Sequence, residues 1–351
     1  MIYEEVLENA KKLMPPSCWV CKYCNGLACR GEIPGTGGKG TGQSFVRSYE
    51  KLAEIKVSMD TIYKKKEQDC SVTLFGKQFA APIFAAPISG MASNYTGHFT
   101  EKSYAEKLIH GMLKVGCVAF TGDGVSSHFF DDPLSVIEKA GGTGIPTIKP
   151  WDQETIFNKI EQAEKAGAFA IAMDVDSAGL PLIFDSDKEV GPKNIRELSE
   201  IRSKIHVPFI IKGVMSVKGA LKALESGADA IVVSNHGGRV LDHALAPVEV
   251  LPNIKEAIGN RMTILIDGAI RTGLDVFKAL ALGADGVLIG RPYVVAAYGG
   301  NEEGVEIYTK KIINELKDAM KMTGCNTLKD ITRDKIIWPE KIERAKEDEK
   351  I

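Results

Sequence analysis

Eight short apolar runs recur between Ala81 and Gly290, and they constrain the fold more than any other feature of the sequence. They are APIFAAPI (81–88), GCVAF (116–120), GIPTI (144–148), AFAIAMDV (168–175), VPFIIKG (207–213), ADAIVVSN (228–235), MTILIDG (262–268) and DGVLIG (285–290). Most are uninterrupted rather than alternating, the pattern of parallel strands buried on both faces. Between them lie amphipathic stretches such as TIFNKIEQAEKAG, VKGALKALESG and GLDVFKALALG, each ending at a glycine that can stop a helix. Eight strand–helix units predict an α/β fold, a closed (β/α)8 TIM barrel with an N-terminal extension. An open doubly wound sheet is the runner-up. The barrel is expected over 71–335. Residues 1–70 lack the rhythm and read as a segment laid against it, and 336–351 read as a charged, solvated tail.

In such barrels the active site forms at the C-terminal ends of the strands. The unusual polar residues fall there: Asp123 after the second run, Asp174 and Asp176 at the fourth, Lys212 in the fifth, His236 and Arg239 after the sixth. Asp267 and Arg271 follow at the seventh, Gly290 and Arg291 at the eighth. The last two units place glycine-rich turns beside an arginine. Such turns expose backbone N–H groups that can cradle a phosphate, and arginine adds a forked, charge-assisted bond. His236 sits on a Gly-Gly loop three residues before Arg239. Histidine titrates near neutrality and serves as base or acid, and arginine grips a carboxylate at two points.

SNHGGRVLD (234–242), IIKGVMS and DGAIRTGLDVFKALALGADGVLIGRP together resemble the FMN-dependent α-hydroxy-acid oxidases and dehydrogenases, the glycolate oxidase and lactate oxidase type. The likeness is close from Asn194 to Arg291 and looser on either side. It implies roles residue by residue. His236 would take the substrate hydroxyl proton while hydride passes to flavin N5. Arg239 would bind the carboxylate, Asp176 would stabilise the protonated histidine, and Lys212 would face the flavin where negative charge develops. Asp267, Gly268, Arg271, Gly290 and Arg291 would hold the phosphate and ribityl chain. Ala86, Pro87, Ile88, Ser89 and Ser234 would run along the flavin. The resemblance also implies FMN as cofactor, a small 2-hydroxy acid as substrate and a homotetramer.

Several of that family's features are missing here. Its N-terminal substrate tyrosine has no counterpart. Thr147-Ile148-Lys149 stand in place of Gln-Leu-Tyr, and Asp174 stands in place of a threonine. The second substrate arginine has no match, FDSDKE (184–189) lying downstream instead; Lys149 or Lys39 could compensate. A flavin-dependent isomerase of the type 2 isopentenyl diphosphate kind and a non-catalytic flavin-binding protein are the competing readings. Cys18, Cys21, Cys24 and Cys29 form a C-x2-C-x2-C-x4-C cluster. It resembles iron–sulfur spacing, with the last interval long by one and no proline following. Zinc is also compatible, as is a loop of plain thiols. The net charge of −2 gives no pull towards nucleic acid or an anionic membrane. No apolar run is long enough for a bilayer, and MIYEEVLENAKKL lacks a signal-peptide pattern, so a cytoplasmic location is expected.

Overall fold

Each of the eight apolar runs carries most or all of one strand of the computed structural model, which describes residues 1–180 and 190–338. The strands are β1 (Ile83–Ala85), β2 (Val118–Thr121), β3 (Ile145–Ile148), β4 (Ile171–Asp174), β5 (Phe209–Val214), β6 (Ala230–Val233), β7 (Thr263–Ile266) and β8 (Gly286–Ile289). All pair in parallel in sequence order, and β8 returns to β1 to close the barrel. The open doubly wound sheet is thereby excluded. Closure follows from the sequence pattern: strands apolar on both faces need cover on both. Phe84, Phe120, Ile145, Ala172, Ile210 and Val232 belong to the core that fills the interior. Their chain neighbours, such as Ile83, Ala119, Met173 and Ile231, belong to the larger core that includes the surrounding helices.

The helix punctuation is local chemistry. Asp152, Ser216 and Thr272 each accept a backbone N–H three residues on, satisfying a donor that the first turn leaves free. The helices Gln153–Lys165, Val217–Glu225 and Gly273–Ala281 are each followed by a glycine at positive φ, Gly167, Gly227 and Gly283. A hairpin of Val72–Leu74 and Lys77–Phe79 precedes β1. Its Phe79 packs edge-on against Phe84, 5.2 Å between ring centres, and so reaches the interior core.

The N-terminal segment is bound to the barrel at several points. The helix Tyr3–Leu13 packs on the long helix Arg291–Met322. Lys56–Val57 pair antiparallel with Ile336–Ile337. The glycine-rich stretch 35–42 meets the loop after β6, with the Lys39 N–H donating to the Gly238 carbonyl at 2.8 Å. Lys39 Nζ donates to the carbonyls of Gly179 and Val240, both at 3.0 Å. Thr41 and Gln43 donate to the Asp242 carboxylate. Among the described residues no helix is long and apolar enough to cross a membrane. The tail sequence KIERAKEDEK and the stretch FDSDKE lie outside the described residues.

Gly238 tests that docking. Its φ is +80°, and an added Cβ would lie 2.6 Å from the Phe45 backbone nitrogen. Gly238→Ala is expected to cost at least about 1–3 kcal/mol for the left-handed conformation, before any clash with Phe45. A lowered melting temperature, with faster proteolysis between 17 and 42, is the expected readout. An unchanged melt would show that the loop can move away freely.

Candidate active site

The charged residues at the strand ends converge on one cavity of about 350 Å³, lined by Lys149, Asp174, Lys212, His236, Arg239 and Asp267. Ala86, Pro87, Ile88 and Ser89 form another stretch of its wall, and Gly268, Arg271, Gly290 and Arg291 line it from the last two strands. Ser234 is fully buried and does not line the cavity; its hydroxyl donates to Asp267 at 2.8 Å and accepts the His236 N–H at 3.0 Å.

His236 adopts φ +57°, unusual for a non-glycine residue. The neighbouring Asn235 carboxamide accepts the Gly238 N–H, and its Nδ2 donates to Ser48 and to the Leu245 carbonyl. These bonds fix the loop that aims the imidazole. His236 Nδ1 lies 3.0 Å from Asp176 Oδ1 and 3.5 Å from Asp174 Oδ1. Asp176 sits in the short turn Val175–Gly179 directly after β4, so the pair is supplied by the segments after β4 and β6, on either side of β5.

Behind them lies a buried ionic network. Lys212 Nζ is 3.0 Å from Asp174 and 3.8 Å from Asp267, and Lys149 Nζ is 3.7 Å from Asp174. Burial pushes the Asp174 carboxyl up, but His236, Lys212 and Lys149 outweigh it and hold the group well below the ordinary carboxylate range. Burial pulls the Lys212 ammonium down, and Asp174, Asp176 and Asp267 more than reverse this, keeping it charged. Asp267 goes the other way: burial raises its carboxyl despite Lys212 and Ser234. Three carboxyl groups thus face two lysines, with the His236 imidazole beside them.

Arg239 stands elsewhere on the wall. Its Nη1 donates to the carbonyls of Gly35 and Gly37, and its Nη2 to Asn94 Oδ1 at 2.9 Å. Burial, with Arg291 nearby, pulls its guanidinium down to about 10, which leaves it charged at neutral pH. Arg291 donates to Thr36, Gly37 and Gly237 carbonyls and lies over the Phe45 ring at 4.0 Å. Arg271 donates to the carbonyls of Cys24 and Ile270. The N-terminal segment therefore helps to seat all three arginines.

Sequence reasoning missed Asn94, which orients Arg239, and Tyr95, buried beside it on the cavity wall. Both follow Ala86–Ser89 in the connection after β1, at the end of the short helix Met91–Asn94, and extending that segment by a few residues would have reached them. Asp174, a strand-end residue without an assigned role in the sequence, is the centre of the charge network. Asp123 is structural: it accepts from Gly124, Lys149 and Trp151 and pairs with Lys159 at 3.0 Å. Lys39 spends its ammonium on two carbonyls and does not line the cavity, whereas Lys149 does line it. Among the described residues no three of the clustered cysteines bring their sulfurs within 4.8 Å of one another.

The family model described as FMN-dependent dehydrogenase matches residues 35–182 and 184–338. The chain belongs to the FMN-dependent dehydrogenase family. It is 43% identical over 141 residues to the peroxisomal (S)-2-hydroxyacid oxidase GLO3 of Arabidopsis thaliana, a match covering 40% of this chain and 39% of that protein. The match thus spans about two fifths of that relative's length. A longer match, to the 4-hydroxymandelate oxidase of Amycolatopsis orientalis, is 28% identical and covers 86% of this chain and 93% of that one. A solved mandelate oxidase mutant with the monooxide FMN adduct superposes with a TM-score of 0.73, at 28% identity over 87% of this chain and 96% of that one.

The site of this FMN-dependent dehydrogenase fits the cofactor its family is named for. Asp267 Oδ1 and Thr147 Oγ1 are buried on the cavity wall with no hydrogen-bond partner within the protein. Buried polar atoms rarely go unpaired, and the hydroxyls of a ribityl chain are suitable partners. Gly268 (φ +98°) and Gly290 line the cavity beside Arg271 and Arg291, and glycine turns of this kind can offer backbone N–H groups to a phosphate.

Proposed function

We propose that the protein oxidises a small 2-hydroxy acid to the 2-oxo acid, with His236 as the base. The observation that carries this is the Asp176–His236 hydrogen bond opening on a cavity that Arg239 also lines. Bound FMN supplies a hydride acceptor. The substrate loses a hydride and a proton, and the protein's residues deal with the proton and the charge. A proton on Nδ1 facing Asp176 leaves Nε2 free to take the substrate hydroxyl proton. Asp176 then stabilises the imidazolium, and the short turn after β4 keeps the ring from rotating. Lys212, fixed by Asp174, holds a positive charge at the cavity wall where negative charge develops during oxidation. Asp267, Arg271 and the turns at Gly268 and Gly290 are the residues that would hold the ribityl and phosphate groups, with Ala86 to Ser89 along the ring.

Arg239 and Lys149 are assigned to the substrate carboxylate. Arg239 is pre-oriented by Asn94 and two backbone carbonyls, which lowers the entropy lost on binding. Lys149 carries a second positive charge to the same cavity, in a chain whose sequence lacks the family's second arginine.

The test is absorbance of the holoprotein without oxygen, over a panel from glycolate and lactate to mandelate. At least one should bleach the flavin rapidly. No bleaching by any member would overturn the reading. With the best substrate, Lys149→Met is expected to raise KM by about 10- to 100-fold, the worth of a hydrogen bond to a charged group. FMN content should stay unchanged. An unaltered KM would remove Lys149 from the substrate site.

A further inference from the structure

A second cavity, of about 480 Å³, lies under the N-terminal segment. Cys18, Cys21, Cys24 and Cys29 all line it, and so do Arg271 and Arg291, which also line the flavin cavity. We infer that these four cysteines hold an iron–sulfur cluster in this second cavity, next to the phosphate end of the flavin site. The location relative to flavin rests on the FMN reading above; the cluster itself does not.

Three observations carry it. First, the sulfurs are grouped, but not at single-ion spacing. Cys18 lies within electrostatic range of the other three, and Cys24 within range of Cys21 and Cys29. Yet, among the described residues, no three of these four sulfurs lie within 4.8 Å of one another. A tetrahedral zinc with bonds of about 2.3 Å draws its sulfurs to about 3.8 Å apart. A cluster of several irons sits between its thiolates and holds them further apart, around a space of its own. The cavity is that space.

Second, the charge suits an anion. A cluster held by four thiolates is negative overall. Cys24 interacts with the guanidinium groups of both Arg271 and Arg291. The Arg271 Nε donates to the Cys24 carbonyl at 3.2 Å, so the thiol-bearing loop is tied to the cationic wall.

Third, the stretch that carries the cysteines has little regular structure or apolar burial of its own. Residues 15–42 contain no α-helix or strand. Trp19, Tyr23 and Leu27, spaced among the cysteines, are 51%, 62% and 52% exposed, and between Cys18 and Cys29 only Val20 is a buried member of the hydrophobic core, so apolar burial contributes little there. A bound cluster would add four cross-links to this irregular loop. Gly37 shows how closely the loop is packed where it meets Cys29: an added Cβ would lie 1.9 Å from the Cys29 carbonyl oxygen.

The test uses full-length protein purified without oxygen. Iron, acid-labile sulfide, zinc and FMN are measured per chain, before and after treatment with ferrous iron and sulfide. Iron and sulfide are expected in equal molar amounts. Reduction with dithionite should give an electron paramagnetic resonance signal distinct from a flavin radical. Cys24→Ser and Cys29→Ser should lose the iron, sulfide and signal while keeping FMN. Stoichiometric zinc in place of iron would overturn the inference, as would failure to take up iron and sulfide in the treated wild-type protein. Retention of the signal in both serine variants would also overturn it. Because iron and sulfide are counted independently of FMN, a protein with cluster and no flavin would refute the FMN reading alone.

Discussion

Replacing His236 with asparagine is expected to slow flavin reduction by a 2-hydroxy acid by about 10²- to 10⁴-fold, the usual contribution of a positioned general base. Asparagine is the informative choice. The residue sits at φ +57°, a conformation that asparagine tolerates better than alanine does. Its side chain can still meet Asp176, but it cannot accept a proton at neutral pH. The variant should therefore fold, bind FMN to the wild-type level and hold substrate through Arg239, while losing the proton-accepting step. Stopped-flow absorbance without oxygen measures the reduction rate directly, free of any later electron acceptor. A rate within tenfold of wild type at saturating substrate would mean that His236 is not the base. Asp176→Asn is the companion: it keeps Nε2 but removes the charge that stabilises the imidazolium, so a smaller loss is expected.

The barrel was legible because burial on both faces leaves nothing to alternate. The run 168–175 holds β4 at Ile171–Asp174, and 228–235 holds β6 at Ala230–Val233. The polar ends of those runs, Asp174 and Ser234-Asn235, are where the strand stops and the site begins. Helix ends were equally readable, since Gly167, Gly227 and Gly283 adopt positive φ after their helices. The meeting of His236, Asp176, Lys212 and Asp267 follows from the consecutive order β4-β5-β6-β7 in the closed sheet, which strand counting alone predicts. What could not be read was long-range and polar. Asn94 reaches Arg239 across 145 positions, and no periodicity encodes that contact. The stretch from Gly35 to Gly42 has the composition of a phosphate loop, yet its backbone packs on the loop after β6 and its carbonyls face Arg239 and Arg291. Glycine permits close approach of any partner, so its presence does not say which. Asp174 looked like a lost threonine because its two lysines lie on different strands.

Lys212→Met should destabilise the protein by about 3–5 kcal/mol, the cost of stripping one partner from a buried ion pair. Methionine matches the length and removes the charge, so packing changes little. The Lys212 side chain is 4% exposed, and its Nζ lies between Asp174 and Asp267. Without it Asp174 keeps the more distant Lys149 and His236, while Asp267 keeps the Ser234 hydroxyl. The loss should depend on pH with a definite sign. Burial already raises the Asp267 carboxyl, and Lys212 is the main opposing influence. Removing that lysine raises it further. A carboxyl whose folded value exceeds its unfolded value binds protons preferentially when folded, so stability falls as pH rises through that interval. The gap between Lys212→Met and wild type should therefore widen from about pH 5 towards pH 8, near and above the ordinary carboxylate range. Denaturant melts at both pH values measure it. A double variant, Lys212→Met with Asp174→Asn, separates charge from packing. If the uncompensated carboxylate is the cause, the double variant recovers part of the loss, because the two costs belong to one interaction. Costs that simply add would place the effect of Lys212 in its packing.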